Sequence, residues 1–427
     1  MTKIYIEGYG CTLNNADTNI IKNSIKSFKD FQVVNNLEDA DIVVINTCVV
    51  RLETEHKMIS RINYFKSLNK KVVVAGCMPK ALREKVIDKA HILIMPKEAH
   101  LAGDIIYKYK NKLDNAITPY SICLNDKLKY LKPENSLIMP LPISEGCIGK
   151  CTFCIVKVAR GNLISYDRDL LVKKVNEYLN NGVKHILITA QDTACYGFDK
   201  GYTLPDLLND INYSTSGKQF TMRIGMMHAK NLPKIIDDLL ECYKQKNIAK
   251  FLHLPLQSGD DKILRDMNRE YTTDEFMSIV KEFKRKIKDL NFNTDIIVGF
   301  PTEKEENFEN TLEILKKIKP DYIHGAKYTQ RKHTVASKLK QIDTKIRKKR
   351  SEILDKLRRE LSYYNNKKYI GKSLRVLITE RGKGIAHNCK IVKFNWDDDL
   401  NVGDFVDVKI TNAKTFGLFG KVLTVDI

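Results

Sequence analysis

The spacing of three cysteines constrains this chain more than any other feature of its sequence. Cys147, Cys151 and Cys154 form a Cys-x3-Cys-x2-Cys pattern within EGCIGKCTFCIVKVARG (145–161). Three thiolates this close can face one pocket only if the backbone curls around it, and thiolates select zinc, Cu(I) or iron–sulfur clusters. A structural zinc site needs a fourth Cys or His, and none lies close by in the sequence. The spacing therefore favours a four-iron cluster with one iron open to an outside ligand.

Three further cysteines, Cys11, Cys48 and Cys77, each follow an apolar run, in EGYGC, VINTC and VVAGC. The region predicts strands at 3–10, 41–47, 71–76 and 91–95, with helices near 15–29, 53–68 and 80–89. Buried β-branched runs that alternate with helices are typical of an open parallel α/β sheet. Because the carboxyl ends of parallel strands share one edge, we expect these thiols to converge and hold a second cluster. The remaining cysteines show no matching spacing and are predicted to be ordinary thiols: Cys123, Cys195, Cys242 and Cys389.

A second strand–helix series follows, and it predicts a partial (β/α)6 barrel of parallel strands. Because barrel active sites lie at the carboxyl ends of the strands, the cysteine loop after the first strand has the position of an active site. The strands are predicted at 137–144, 185–190, 220–226, 250–256, 294–299 and 321–328, and the helices near 167–181, 203–210, 231–246, 273–289 and 304–318.

The sequence thus predicts a mixed α/β chain in four parts. Residues 1–113 form the open α/β domain, 114–135 a linker, and 136–365 the barrel. Residues 366–427 contain short alternating strands with Gly turns, which are typical of a small five-stranded, all-β barrel of the OB type.

The charge balance indicates a polyanionic partner. Lys plus Arg number 72 against 52 Asp plus Glu, a net charge of +20, and nucleic acid is the natural polyanion for such a chain. The segment 345–368 carries ten basic and three acidic residues, and its apolar residues keep helical spacing. We expect its basic face to bind RNA through Arg347, Lys348, Lys349 and Arg350, the alternative being a solvated face. Trp396 stands beside acidic residues and is predicted to pack rather than stack on a base.

No stretch is apolar enough to span a membrane, since the longest run without a charged side chain is 115–125 and a spanning helix needs about 20 apolar residues. The first residues, MTKIYIEGYG, lack the apolar region of a signal peptide. We therefore expect a cytoplasmic protein with no membrane partner.

The cysteine loop resembles that of the radical S-adenosylmethionine superfamily, with Phe153 at the aromatic position before the third cysteine. The resemblance implies a 4Fe–4S cluster on Cys147, Cys151 and Cys154, which binds S-adenosylmethionine through its open iron and cleaves it to a radical. Side chains at later strand ends are candidates for cofactor binding, although they could equally be strand caps or tight turns: Gln191, Asp192, Arg223, Gln257 and Gly299.

The whole chain resembles the radical methylthiotransferases, most closely the branch that acts on N6-threonylcarbamoyladenosine in tRNA. The matching words run in order along the chain: GYGCTLNNAD (8–17), INTCVVRLETEHK (45–57), AGCMPK, EGCIGKCTFCIVKVARGNLISY, TAQDTACYG (189–197), FLHLPLQSG (251–259), NREYT (268–272) and TDIIVGFPTE (294–303). The resemblance implies a second 4Fe–4S cluster on Cys11, Cys48 and Cys77, and a C-terminal TRAM domain that binds RNA.

The activity implied is conversion of N6-threonylcarbamoyladenosine at position 37, next to the anticodon, to its 2-methylthio derivative with two S-adenosylmethionine molecules. It requires tRNA, a sulfur donor, and an electron donor such as a flavodoxin or ferredoxin. Two alternatives stay open: a methylthiotransferase of a ribosomal-protein aspartate, and a non-enzymatic iron–sulfur RNA-binding protein.

Two words depart from the family pattern: GMMHAK (225–230) and KYTQRKHTVAS (327–337). We expect both to affect substrate choice and neither to touch the cluster cysteines. Arg160 could clamp a phosphate or carboxylate or form a structural ion pair, and His253 is predicted to be a satisfied core residue.

Overall fold

A computed structural model describes residues 1–111 and 123–425 of the chain. The first part is a parallel five-stranded sheet in the order β2-β1-β3-β4-β5. The runs IVVINT and KVVVAG form its central strands because β-branched side chains suit a pleated surface that is covered on both faces. The elements are β1 (Thr2–Gly8), α1 (Thr12–Lys26), β2 (Phe31–Val34), β3 (Ile42–Thr47), α2 (Leu52–Ser67), β4 (Lys71–Gly76), α3 (Met78–Ala81), β5 (Ile92–Ile94) and α4 (Ala102–Lys110).

The predicted parallel sheet is confirmed, but two of its details differ. The helix expected near 80–89 is wrong, because α3 ends at Ala81 and a short 3-10 turn over Arg83–Lys85 follows. The edge strand β2 was not predicted, since its four residues, FQVV, are too few to show a period.

The cysteine loop opens the second part of the chain. Strand β6 (Ile138–Pro142) leads into β7 (Ser144–Glu145), which pairs with β8 (Ile164–Ser165), and α5 (Ile155–Arg160) lies between β7 and β8.

Six parallel strands build the partial barrel, as predicted. They form two three-stranded sheets, β6-β9-β10 and β11-β12-β13, which an isolated parallel bridge between Met222 and Ile248 joins. The strands are β9 (His185–Thr189), β10 (Thr221–Ile224), β11 (Phe251–His253), β12 (Asn291–Val298) and β13 (Tyr322–Lys327). The helices are α6 (Arg168–Asn180), α7 (Leu204–Ser214), α8 (Ile236–Cys242), α9 (Asp261–Asp266), α10 (Thr273–Lys286) and α11 (Glu305–Ile318).

Alternation along the strands separates an apolar outer face from a polar inner one. On β12, Phe292 and Ile296 are buried in the main core, whereas Asn293 and Asp295 are only half-buried. Because successive strand residues point to opposite faces, Asn293 and Asp295 line the concave side of the barrel.

The last part consists of the long helix α12 (Thr344–Lys367) and a closed five-stranded barrel, as predicted. Its strands are β14 (Ser373–Glu380), β15 (Lys383–Ala386), β16 (Ile391–Phe394), β17 (Phe405–Lys414) and β18 (Gly417–Val425). The small barrel docks on the amino ends of β12 and β13. There Lys390 Nζ bonds Asp321 Oδ1 at 2.8 Å, and Asn291 donates to the carbonyl of Asn388.

The predicted linker is in part tightly packed. Its residues 114–122 lie outside the described ranges, but Leu124–Tyr130 forms 3-10 turns whose Lys127 is fully buried. Lys127 Nζ bonds Asp17 at 2.6 Å and Glu145 at 2.5 Å, so the segment joins the N-terminal sheet to the barrel.

Within the described ranges, no helix is long and apolar enough to cross a membrane.

Replacing Lys127 by Ala should destabilise the protein strongly. The change leaves Asp17 and Glu145 buried with one cation fewer, and losing one partner of a buried ion pair costs about 3–5 kcal/mol. The measurement is the urea midpoint of unfolding. The matched control is Lys129→Ala, whose pair with Asp126 is exposed and should leave the midpoint unchanged. Equal midpoints for the two variants would show that the buried network does not hold the two parts together.

Candidate active site

The cysteine loop curls back on itself, as the spacing requires. Its start is pinned by the Cys147 amide, which donates to the carbonyl of Gly161 at 3.1 Å. The amide of Gly149 donates to Cys147 Sγ at 3.2 Å, and a Cβ on Gly149 would lie 3.3 Å from Cys147 Sγ and 4.0 Å from Cys151 Sγ. The structure therefore brings Cys147 and Cys151 together around a glycine that leaves the space open.

Burial makes this pocket unfavourable for bare thiolates. It raises the pKa of Cys147 to about 11, and it also raises the pKa of Cys154, with the charges of the neighbouring cysteines acting in the same direction. Thiolates become stable in such a place when they bind a cationic metal. The donor set, three converging thiols from one short loop, fits a cluster with one open iron.

Two side chains that the sequence did not single out contact Cys151. Arg269 donates from Nη1 to Cys151 Sγ at 3.3 Å, and His228 Nε2 lies 3.9 Å from the same sulfur. Arg269 lies in the family motif NREYT, and His228 lies in GMMHAK, one of the two motifs that depart from the family pattern. Both residues were therefore visible in the sequence, but neither had been assigned a role.

The expectation that neither departing motif touches the cluster cysteines is therefore wrong for GMMHAK, whereas KYTQRKHTVAS contacts the loop between the cysteines. His228 reaches Cys151, and the amide of Ala336, within KYTQRKHTVAS, donates to the carbonyl of Thr152 at 2.9 Å. Both words pack against the loop because they follow strands whose carboxyl ends share one rim.

The N-terminal cysteines lie at the ends of three adjacent strands. Cys11, Cys48 and Cys77 follow β1, β3 and β4, which are hydrogen-bonded neighbours in the sheet. A Cβ on Gly10, whose φ is +118°, would lie 2.8 Å from Cys48 Cβ, so the turn before Cys11 approaches Cys48 closely. Burial raises the pKa of Cys77 to about 12, and the charges of Cys11 and Cys48 add to it. The predicted convergence of the three strand ends is present.

Arg160 connects the two groups of cysteines. It is 1% exposed and ends α5, the helix that begins directly after Cys154. Its guanidinium donates to Glu145 Oε2, Asp17 Oδ2 and Asn14 Oδ1, each at 2.7 Å. Its charge also lowers the pKa of Cys77 against the effect of burial. Of the two roles left open by the sequence, the structure supports the ion pair.

The predicted cofactor residues differ in their surroundings, and Arg223 lies away from the rim, with its guanidinium over the ring of Phe251 at the start of β11. Asp192 is a strand-end cap, because its carboxylate accepts from the amides of Ala194 and His228 and from Asn231 Nδ2. Gln191 Oε1, Gln257 Oε1 and Arg223 Nε are buried and have no hydrogen-bond partner within residues 1–111 and 123–425. Unpaired buried polar atoms indicate a missing ligand.

Phe153 and Gly299 contribute to the walls of the site. Phe153 packs against a small cluster that includes Met267 and Phe300. Gly299 has a φ of +73°, and a Cβ there would lie 2.3 Å from Cγ of Arg347. Gly299 is thus required for the close approach of α12.

The chain matches three families along its length. Residues 3–95 match an uncharacterised protein family (UPF0004), 141–315 the radical SAM superfamily, and 367–423 the TRAM domain. A probable threonylcarbamoyladenosine tRNA methylthiotransferase of Methanocaldococcus jannaschii is 61% identical over 426 residues, which cover 99% of this chain and 97% of that protein. The chain belongs to the radical S-adenosylmethionine methylthiotransferases.

More distant relatives carry two different names. A Pyrococcus horikoshii protein with the same name as the M. jannaschii one is 37% identical, over 99% of this chain and all of that protein. A tRNA-2-methylthio-N(6)-dimethylallyladenosine synthase of Thermosipho melanesiensis is 31% identical over the full length of both chains.

A solved structure of the radical S-adenosylmethionine methyltransferase TsrM from Kitasatospora setae shares the fold. Its TM-score is 0.58 at 10% identity, and the match covers 79% of this chain and 77% of that one.

Membership of the family settles the reaction class. This methylthiotransferase is an enzyme, and its superfamily uses a 4Fe–4S cluster and S-adenosylmethionine. The alternative of a non-enzymatic RNA-binding protein is therefore wrong.

The predicted RNA-binding residues divide into exposed and buried ones. Lys348 and Lys349 are exposed on α12, as expected. Arg350 is 4% exposed and pairs with Glu303 at 2.6 Å, so it stabilises the helix position and is removed from the predicted RNA surface. Arg347 is half-buried and donates to the carbonyl of Tyr328 at 2.7 Å.

Alkylation of the cluster-free protein should distinguish the N-terminal cysteines by their exposure. Cys11 is exposed and should react with iodoacetamide at a rate close to that of exposed Cys123, whereas buried Cys77 should react far more slowly. Peptide mass spectrometry over time gives the rate at each thiol. Protection of buried Cys195 is the control for an intact fold. A Cys77 rate equal to that of Cys123, with Cys195 still protected, would contradict the described geometry.

Proposed function

We propose that this enzyme converts N6-threonylcarbamoyladenosine at position 37 of tRNA to its 2-methylthio derivative. The observation that carries the proposal is the presence of two separate groups of three converging cysteines on facing parts of one molecule. Insertion of sulfur at an unactivated C–H carbon needs both a radical source and a place that holds the sulfur. The names of the relatives at 61% and 37% identity support this substrate.

The chain's own residues have distinct roles in this proposal. Cys147, Cys151 and Cys154 hold the cluster of the barrel, and Cys11, Cys48 and Cys77 hold a second 4Fe–4S cluster. When bound, the barrel cluster, S-adenosylmethionine and one electron from the donor would supply the 5′-deoxyadenosyl radical that takes hydrogen from C2, and the second cluster would hold the sulfur that is transferred there. Arg269 and Arg160 each place a buried positive charge beside one of the two sets of thiolates.

The unpaired atoms at the rim are proposed to bind S-adenosylmethionine. Gln191 and Gln257 offer buried polar atoms that lack partners in the described parts of the chain. Asp192 orients His228 through the backbone, Phe153 supports the cysteine loop, and Gly299 lets α12 close the wall.

The remaining partners are inferred from the reaction. A flavodoxin or ferredoxin would supply electrons, and a separate donor would supply sulfur. The TRAM domain and the exposed face of α12 would hold the tRNA, and a tRNA substrate assigns the reaction to the cytoplasm. The relatives at 61%, 37% and 31% identity are all named for tRNA, which supports a tRNA substrate over the alternative of a ribosomal-protein aspartate.

The two groups of cysteines should be separable by mutation. A Cys147→Ala/Cys151→Ala/Cys154→Ala variant should produce no 5′-deoxyadenosine, because the open iron is lost. A Cys11→Ala/Cys48→Ala/Cys77→Ala variant should keep S-adenosylmethionine cleavage but transfer no methylthio group. Its iron content should fall by half from about eight per chain, the content of two four-iron clusters. Iron analysis and nucleoside mass spectrometry of the tRNA are the measurements.

Each result has a clear contrary outcome. Radical formation by the first variant would overturn the assignment of the barrel cluster. Full iron content in the second variant would overturn the second cluster.

Binding of tRNA should depend steeply on salt if α12 contacts phosphates. The double change Lys348→Gln/Lys349→Gln should flatten the slope of log K against log salt concentration by about 0.7 to 0.9 per lost contact. The control is Lys244→Gln/Lys246→Gln, which removes the same charge from an exposed segment after α8. Equal slopes for both variants would mean that the α12 face is merely solvated and that RNA binds elsewhere.

A further inference from the structure

Three polar side chains meet on the concave side of the barrel, on three adjacent strands. His253 ends β11, Asp295 lies on β12, and His324 lies on β13 directly opposite Asp295 in the register. His253 Nε2 lies 3.0 Å from Asp295 Oδ2, and the two imidazole rings lie 5.1 Å apart. We call these three residues the barrel recess.

The barrel recess faces open space and is not part of a core. The side chains of His253 and Asp295 remain 20% and 25% exposed although they lie inside the barrel. Their strand neighbours Leu252 and Ile296 point the other way, into the main hydrophobic core. His253 has a hydrogen-bond partner in Asp295, as predicted, but the prediction that it lies in the core is wrong.

A buried hydrogen-bond acceptor that lacks a donor lies beside the barrel recess. Asn293 Oδ1, on the same face of β12, is buried and has no partner anywhere in the described ranges. Burial raises the pKa of Asp295, but the hydrogen bond from His253 and the neighbouring positive charges together outweigh it and keep the pKa below its usual value, so the carboxylate stays ionised. Burial lowers the pKa of His324 to about 4, so this imidazole is neutral at physiological pH and offers an acceptor as well as a donor. A ligand for this place must supply N–H or O–H groups.

The two adenosines named by the relatives differ in this chemistry. A threonylcarbamoyl group carries urea N–H groups, a hydroxyl and a carboxylate, whereas a dimethylallyl group adds only hydrocarbon. C2 and C6, which carries N6, flank N1 in the six-membered ring of adenine, and their outward bonds diverge. A base that presents C2 to the radical therefore directs its N6 substituent away from the radical. Arg51 is exposed, and its positive charge is close enough to His324 to lower the pKa of that imidazole. Arg51 would therefore be a cationic neighbour for the carboxylate of the N6 substituent.

We propose that the barrel recess of His253, Asp295 and His324 binds the polar N6 substituent of the target adenosine and selects it over an apolar one. The inference rests on the proposed function and names the part of the molecule that reads the substrate. A site built from hydrogen-bonding groups rejects an analogue that cannot pair with them, because its buried polar atoms are then left unpaired.

The test measures binding of synthetic anticodon stem-loops to the full-length, cluster-loaded enzyme by fluorescence anisotropy at one salt concentration. Three RNAs differ only at position 37, which carries adenosine, N6-threonylcarbamoyladenosine or N6-dimethylallyladenosine. The wild type should bind the threonylcarbamoyl RNA at least about tenfold more tightly than the other two.

Two variants test the barrel recess itself. Asp295→Asn keeps the shape but replaces an acceptor by a donor, and it should weaken binding of the threonylcarbamoyl RNA by about tenfold. Binding of the unmodified RNA should not change. His324→Leu should reduce the preference further by improving binding of the dimethylallyl RNA. The matched controls are Asp237→Asn and His56→Leu, which make the same changes at exposed positions away from the barrel interior and should match the wild type.

The outcomes separate the two proposals. A wild type without preference for the threonylcarbamoyl RNA overturns the proposed substrate, and the role of the recess with it. A wild type with that preference, retained in both Asp295→Asn and His324→Leu, overturns the recess alone. Since two imidazoles and a carboxylate also suit a divalent metal, metal analysis accompanies the binding assay. One equivalent of a non-iron metal that disappears in Asp295→Asn would reassign the recess as a metal site and overturn the proposal.

Discussion

A buried cluster of four charges holds the functional parts of this enzyme in one arrangement. Arg160 and Lys127 share the carboxylates of Asp17 and Glu145, and all four side chains are 1% exposed or less. Burying charges is costly unless each is paired, and here every member has two partners of opposite sign. The four residues come from α1, the segment after the undescribed residues, β7 and α5. The cluster therefore fixes the N-terminal sheet against the cysteine loop.

The position of this cluster explains why the two sets of cysteines face each other. Arg160 ends the short helix that begins directly after Cys154. Its guanidinium donates to Asn14 Oδ1, and the same oxygen lies 3.7 Å from Cys77 Sγ. A second ionic contact acts at the other side of the interface, where buried Arg331 donates to buried Glu55 of α2. The proposed transfer of a group between two centres requires a fixed separation, and charge pairs of this kind define it better than apolar packing because their geometry is directional.

Much of the fold could be predicted because its signals are local. The β-branched runs before Cys48 and Cys77 predict parallel strands, and the shared edge of such strands predicts that the thiols converge. The short elements were not predicted correctly because their local signal is too weak. Strand β2 and helix α3 have four residues each, which is too few for a period to appear. Arg350 was misjudged because a basic run shows which residues are charged, whereas the pairing with Glu303 depends on how α12 packs.

The sequence by itself determined the reaction class of this protein. The spacing of the three loop cysteines depends only on neighbouring residues, and the placement of the strand-end cysteines depends only on a regular parallel sheet. Tertiary structure decided which other side chains serve the site. Arg269 contacts Cys151 from 118 positions along the chain, and His253, Asp295 and His324 come from three strands. Such contacts depend on strand register and on which face of the strand a residue occupies. A shift of one residue would turn Asp295 from the barrel interior into the core, so three-dimensional packing alone assigns its role.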